Sequence, residues 1–185
     1  MNDPLKIVGV VRGAPSATVQ PLFQNLVARW RSDVRIAGVV SEDHGLLDRS
    51  CNAGFLRSIA SGDEFSIYQD LGTGSQACHL DPYGVTAATA AIQRDIAAGC
   101  DLVVLNKFGK LEAAGAGLLD AFAMAVAARI PVLTSVSPAF EAAWTRFAAP
   151  LFEFLPADSA AIEYWWLTIR SRPVMAERDD SEFAS

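Results

Sequence analysis

Lysine is scarce in this chain. The 185 residues hold three, against twelve arginines, and two of the three, Lys107 and Lys110, share one short segment. Cysteine is scarce as well. Cys51, Cys78 and Cys100 are an odd number with no C-x-x-C spacing, which argues against a disulfide framework or a redox pair and leads to the expectation of reduced thiols in a cytoplasmic protein. No apolar run approaches the ~18 residues of a membrane-spanning helix. Residues 7–11 are too short for a signal-peptide core, so no membrane partner is expected. Charged residues make up only 19%, and the net charge is −6. The last ten residues carry four acids and one base and so supply −3 of that. The remainder lacks the broad basic face of a nucleic-acid binder. What is present is apolar: 51% of the residues are hydrophobic and the mean hydropathy is +0.24, which excludes a disordered chain. The length fits a single α/β domain over 1–172, with a solvated acidic tail at 173–185.

Along the chain, short β-branched runs alternate with amphipathic stretches. Residues 6–11 (KIVGVV) and 34–41 (VRIAGVVS) read as strands, and 19–31 between them reads as a helix from the spacing of Leu22, Phe23, Leu26, Val27 and Trp30. Residues 55–60 and 65–71 flank Ser61-Gly62-Asp63-Glu64 as a hairpin or a helix-to-strand turn. Asp81 before Pro82 is a helix cap with proline in the first turn, and Gly99 closes the alanine-rich helix that follows. Strands are expected at 101–105 and 131–136, helices at 115–129, 138–147 and 158–171, and an edge strand at 151–155. Such alternation gives a three-layer fold, a mostly parallel sheet with helices on both faces. Ligands then bind outside the carboxyl ends of the strands. The strands at 6–11 and 101–105 are expected side by side, with their loops facing one crevice.

Two loops at such ends carry chemistry. The first holds Arg12, Gly13, Ser16 and Thr18. It occupies the place of a phosphate-binding loop without being one, because counting G-x-x-x-x-G-K-[ST] from Gly13 puts Thr18, Val19 and Gln20 at the second glycine, the lysine and the hydroxyl. A glycine, two hydroxyls and a base at a helix start can still contact an anion, or simply turn the chain. The second loop is Asn106-Lys107-Phe108-Gly109-Lys110-Leu111-Glu112. Its two lysines, with Asn106 as a neutral donor, Gly109 allowing close approach and Glu112 as an internal partner, suit a small anionic ligand with no metal and no cofactor. Read plainly, they are solvated loop charges. Cys78-His79-x-Asp81 lacks a second pair at tetrahedral spacing, so a cap and a buried thiol explain it better than zinc. Gly72-Thr73-Gly74-Ser75 is a turn or a weak anion nest, and Tyr164-Trp165-Trp166 reads as core packing or a subunit contact.

The run from Asp101 through Asn106-Lys107-Phe108-Gly109-Lys110-Leu111-Glu112, with Leu71-Gly72-Thr73-Gly74-Ser75, Cys78-His79-Leu80-Asp81 and Pro131-Val132-Leu133-Thr134, resembles an uncharacterised bacterial family distantly related to THEP-type nucleoside-triphosphatases. Some members of that family accompany molybdate-transport or nitrogen-fixation genes. The resemblance implies a P-loop-NTPase-like topology with a hairpin insertion and degenerate Walker motifs. The enzymes' Mg²⁺-associated aspartate corresponds to Asn106, and their catalytic glutamate to Lys107. An amide is a weak magnesium ligand and an ammonium is no base, so ordinary Mg-NTP hydrolysis is not expected. The leading expectation is a protein that binds a small anion or nucleotide-like ligand. Two alternatives stay open: an atypical nucleoside-phosphate hydrolase or transferase using Glu112, and an accessory protein for molybdate or another oxyanion. Homo-oligomerisation also stays open.

Overall fold

The computed structural model describes residues 6–43, 54–69 and 79–171. The chain begins with β1 (Val8–Arg12), α1 (Ser16–Trp30) and β2 (Ile36–Glu42), then a hairpin of β3 (Phe55–Ser58) and β4 (Glu64–Ser66). A two-stranded ribbon of β5 (Tyr68–Gln69) and β6 (His79–Leu80) leads to α2 (Pro82–Ala98). The second half runs β7 (Leu102–Leu105), α3 (Lys110–Ala113), α4 (Leu119–Ala127), β8 (Val132–Ser135), a single 3-10 turn, α5 (Glu141–Ala148), β9 (Phe152–Pro156) and α6 (Ser159–Arg170).

Seven strands form one sheet in the order β4-β3-β2-β7-β8-β1-β9. The five strands from β2 to β9 are parallel, and the β3–β4 hairpin adds on antiparallel at one side. This is the expected P-loop-NTPase-like α/β architecture, and the hairpin insertion falls where it was expected. One expectation is corrected: β1 and β7 are not neighbours. β8 lies between them, pairing Val132 with both Val8 and Val103. The strands of such a sheet are buried on both faces and read as interchangeable apolar runs, so their order is decided by the crossovers.

Side chains alternate across the sheet into two cores. Val8 and Val10 of β1 and Val103 and Leu105 of β7 face α2, α4 and α5, among Val85, Ile92, Phe122 and Trp144. Val11, Leu102 and Val104 face α1 and α6, among Phe23, Leu26, Trp165 and Trp166. Gly9 makes room for that second layer, since a Cβ there would lie 2.8 Å from the Trp165 ring. Tyr164, by contrast, is exposed.

Helix boundaries follow local chemistry. Asp81 caps α2 by accepting from the Tyr83 N–H, with Pro82 in the first turn, and Asp158 caps α6 through the Ala161 N–H. α1 starts at Ser16, earlier than the residue-19 start expected from its apolar spacing. The helix expected over 115–129 starts at Leu119, and the expected 138–147 helix divides into a 3-10 turn over Pro138–Phe140 and α5. Among the described residues no helix is long and apolar enough to cross a membrane. The expectations for Cys51, Cys78, residues 72–75 and the 173–185 tail lie outside the described residues.

Candidate functional site

The carboxyl ends of β2 and β7 and the N-terminal half of α1 enclose a cleft of about 550 Å³. Three buried or half-buried amides build its floor. Gln20, on the buried face of α1, donates through Nε2 to the Asn106 carbonyl at 2.9 Å and accepts from the Ser41 N–H at 3.2 Å. Gln24, one turn further on, donates to the Ser41 carbonyl at 2.9 Å. The Asn106 side chain donates through Nδ2 to Ser41 Oγ at 2.7 Å, and Ser135 Oγ donates to the Asn106 carbonyl at 2.9 Å. One helix and three strands are thus tied by polar bonds at the carboxyl end of the sheet, where parallel strands end and their backbone groups need partners.

Above this floor stand the groups that can meet a ligand. Ser16 and Ala17 line the cleft from the first turn of α1. That turn follows Pro15, which offers no side-chain cap, and it contains no acid. Thr18 and Val19 direct their N–H groups back to the Pro15 carbonyl. Lys107, exposed and directly after Asn106, supplies a cation to the wall. Glu42 and Asp43 also line the cleft, with Gly54 and Ile67. Arg57 grips Glu42 with two bonds, Nε to Oε1 at 2.6 Å and Nη2 to Oε2 at 2.7 Å, and also pairs with Glu64. Those bonds hold the Glu42 carboxyl below its ordinary range and raise the Arg57 guanidinium. Glu42 is therefore a neutralised wall.

The family model described as "Protein of unknown function (DUF2478)" matches residues 7–165. The chain belongs to that family. A curated relative, "Molybdenum import ATP-binding protein ModC 2" of Bradyrhizobium diazoefficiens, is 42% identical over 144 residues, 77% of this chain. The chain spans only 16% of that relative's length. No solved structure matches the chain significantly.

In this DUF2478 member the structure brings together some of the residues expected at the site and separates others. Ser16, Asn106 and Lys107 share the cleft. Arg12 turns away from it: its guanidinium bonds Glu141 at 3.2 Å and lies 4.0 Å over the Phe154 ring, beyond β1 on the β9 side. Gly13 shapes the turn with a φ of 81°, and Thr18 is exposed on the first turn of α1. The second loop divides at Phe108, which is buried and stacks edge-on against Trp144.

Beyond Phe108 the chain forms α3, which was not expected. Glu112 is buried at its third position, and its carboxylate accepts from the Gly109 N–H and the Leu118 N–H, each at 2.9 Å. Both oxygens are used on backbone, so the expected Glu112–lysine partnership is replaced by a helix-start bond. Gly117 makes this possible. Its φ is 66°, and a Cβ there would sit 2.2 Å from Glu112 Oε1. Lys110 begins α3, exposed, and is not among the described residues that line the cleft.

Gln20 is the residue that sequence reasoning missed as part of the site. Its signal was there: a carboxamide between Val19 and Phe23 on the apolar face of a helix needs buried partners. Among the described residues no group of three His, Cys, Asp or Glu could hold a metal ion.

Proposed function

We propose that this chain binds a small anionic, nucleotide-like ligand in the cleft and does not carry out ordinary Mg-dependent triphosphate hydrolysis. The observation that carries the reading is one wall of the cleft. Lys107 and the uncapped first turn of α1 both face it, and the Gln20–Asn106 bond holds the helix and the loop together. A helix start and an ammonium beside it attract a phosphate or another oxyanion. The ATP-binding name of the 42% identical relative supports the nucleotide-like part of this reading.

The absence of hydrolysis is read from the degenerate motifs. The position of the magnesium-associated acid holds Asn106, whose amide is engaged by Ser41, and the position of the catalytic acid holds Lys107. No lysine follows Gly13 at the phosphate-binding spacing. Glu112, the one candidate base in the loop, is buried with both oxygens on backbone N–H groups. These are the groups that drive phosphoryl transfer elsewhere.

A second reading, accessory handling of molybdate, is favoured by the molybdenum-import name of the same relative. Isothermal titration with nucleotides, phosphate, sulfate and molybdate tests both readings against wild type, Lys107→Ala and Lys110→Ala. Removing one charge-assisted contact weakens binding by roughly tenfold. That loss is expected for Lys107→Ala and not for Lys110→Ala, with melting temperatures unchanged. Equal affinities for all three proteins would remove the cleft as the binding site. Steady Mg-ATP turnover abolished by Glu112→Gln in a folded protein would establish the enzyme instead.

A further inference from the structure

Resting on that reading, we infer that the cleft takes a nucleoside monophosphate in preference to a nucleoside triphosphate or a bare oxyanion. Three observations converge on one phosphate and a polar body. The first is charge. Among the described residues lining the cleft, Lys107 is the single cationic side chain, and it shares that lining with Glu42 and Asp43. Arg57 neutralises Glu42, while Asp43 remains as an exposed carboxylate on the wall. One ammonium with one helix start matches one phosphate monoester, whose charge is about −1.5 to −2 at neutral pH. A triphosphate would bring further negative charge toward Asp43. The chain offers it neither a second lysine in the described lining nor, among the described residues, a cluster of acids to hold a bridging metal.

The second observation is size. A volume of about 550 Å³ lies within the ~300–1,000 Å³ range of small-molecule sites. A single tetrahedral oxyanion would leave most of that space to water.

The third is the character of the rest of the lining. Pro21 and Ile67 supply apolar surface, and Asp43 supplies an acceptor. An acceptor and apolar surface within one cleft suit sugar hydroxyls and a planar base. The acceptor repels a second anionic group. Asp43 is therefore the residue that discriminates against longer phosphate chains, while Lys107 holds the phosphate that is kept.

The test is titration calorimetry on the full chain with AMP, GMP, CMP, UMP, ATP with and without Mg²⁺, inorganic phosphate and molybdate. Wild type, Lys107→Ala and Asp43→Asn are compared, each checked for an unchanged melting temperature. At least one monophosphate is expected to bind tenfold or more tightly than ATP, phosphate and molybdate. Lys107→Ala should weaken that binding about tenfold. Asp43→Asn should narrow the monophosphate-to-triphosphate ratio several-fold, an effect that a merely structural role would not produce.

If ATP binds as tightly as the best monophosphate, and Lys107→Ala weakens both, the inference fails while the cleft remains a nucleotide site. If molybdate or phosphate matches the monophosphates, the inference fails in favour of the oxyanion reading. If no probe binds, or if binding ignores Lys107→Ala, both the inference and the reading beneath it fail.

Discussion

Arg12 closes β1 and Lys107 stands two residues past β7, each a cation at the carboxyl end of a buried parallel strand. Arg12 bends over the β9 side, bonding Glu141 and covering Phe154, whereas Lys107 stays in the wall of the cleft. The difference lies in the neighbours. Beside Arg12 the next strand ends in aromatic surface and a carboxylate on α5. Beside Lys107 the neighbouring strand end offers Ser41, already engaged by Asn106 and by both glutamines. A charge one loop away from a ligand site is thus recruited by packing or left facing solvent according to what the adjacent strand presents. The β7 loop repeats the lesson within itself. Asn106 and Lys107 face the cleft, while Gly109 to Glu112 close a helix start.

The largest effect that could break this division is at Glu112. Replacing it by Ala leaves the buried N–H groups of Gly109 and Leu118 without their acceptor, at about 2–4 kcal/mol in total. For a chain of this size that lowers the melting temperature by roughly 5–10 °C, and Glu112→Gln should recover part of the loss by keeping one acceptor. A thermal scan of the two variants measures it. An unchanged melting temperature in Glu112→Ala would mean that the carboxylate does not hold α3.

Next comes Gln20→Leu, which keeps the volume and removes the bonds to Asn106 and Ser41. It should cost about 1–2 kcal/mol in urea unfolding. It should also weaken ligand binding, because the Asn106–Lys107 segment loses its brace. Stability lost with affinity intact would separate the network from the site.

Arg12→Ala sharpens the comparison directly. Its ion pair is partly exposed, so the stability change should stay within about 1 kcal/mol. Ligand affinity should match wild type, in contrast to Lys107→Ala. A tenfold weakening in Arg12→Ala would place Arg12 at the ligand after all.

The smallest effect is electrostatic and pH-dependent. Arg57 holds the Glu42 carboxyl below its ordinary range, so the bridge contributes stability above that range and loses it as pH falls through the lowered value. The melting-temperature gap between wild type and Arg57→Gln should be present at neutral pH and should shrink on approach to pH ~3, below the ordinary carboxylate range. A gap that persists there would assign the role of Arg57 to packing rather than charge.

Most of the fold was legible because burial writes itself into local patterns. β-branched runs marked the strands, and the Asp81-Pro82 pair marked the start of α2. Strand order was not legible, since Val103–Leu105 and Val132–Leu133 are equally apolar and nothing local says which lies beside β1. α3 has four residues, too few for a helical period to show. At the site, the lysines and Asn106 could be found from their position after a strand. Which lysine faces the cleft could not, because Phe108 turns the chain by inserting its ring among Phe122 and Trp144, and that requires the helices of the other layer.

The place of β1 also sets a timetable for synthesis. The two sheet partners of Val8, Val132 and Phe152, are made more than a hundred residues after it. At the usual ~5–20 residues per second, the nascent chain carries an apolar strand with both edges open for several seconds or more. Meanwhile β2, β3 and β4 can already pair with one another. The half of the sheet bearing the hairpin can therefore assemble on the ribosome, while the half bearing β1 must wait for release of the C-terminal strands. A premature stop anywhere before β8 would strand the first segment, leaving a sticky ribbon for the quality-control machinery to find.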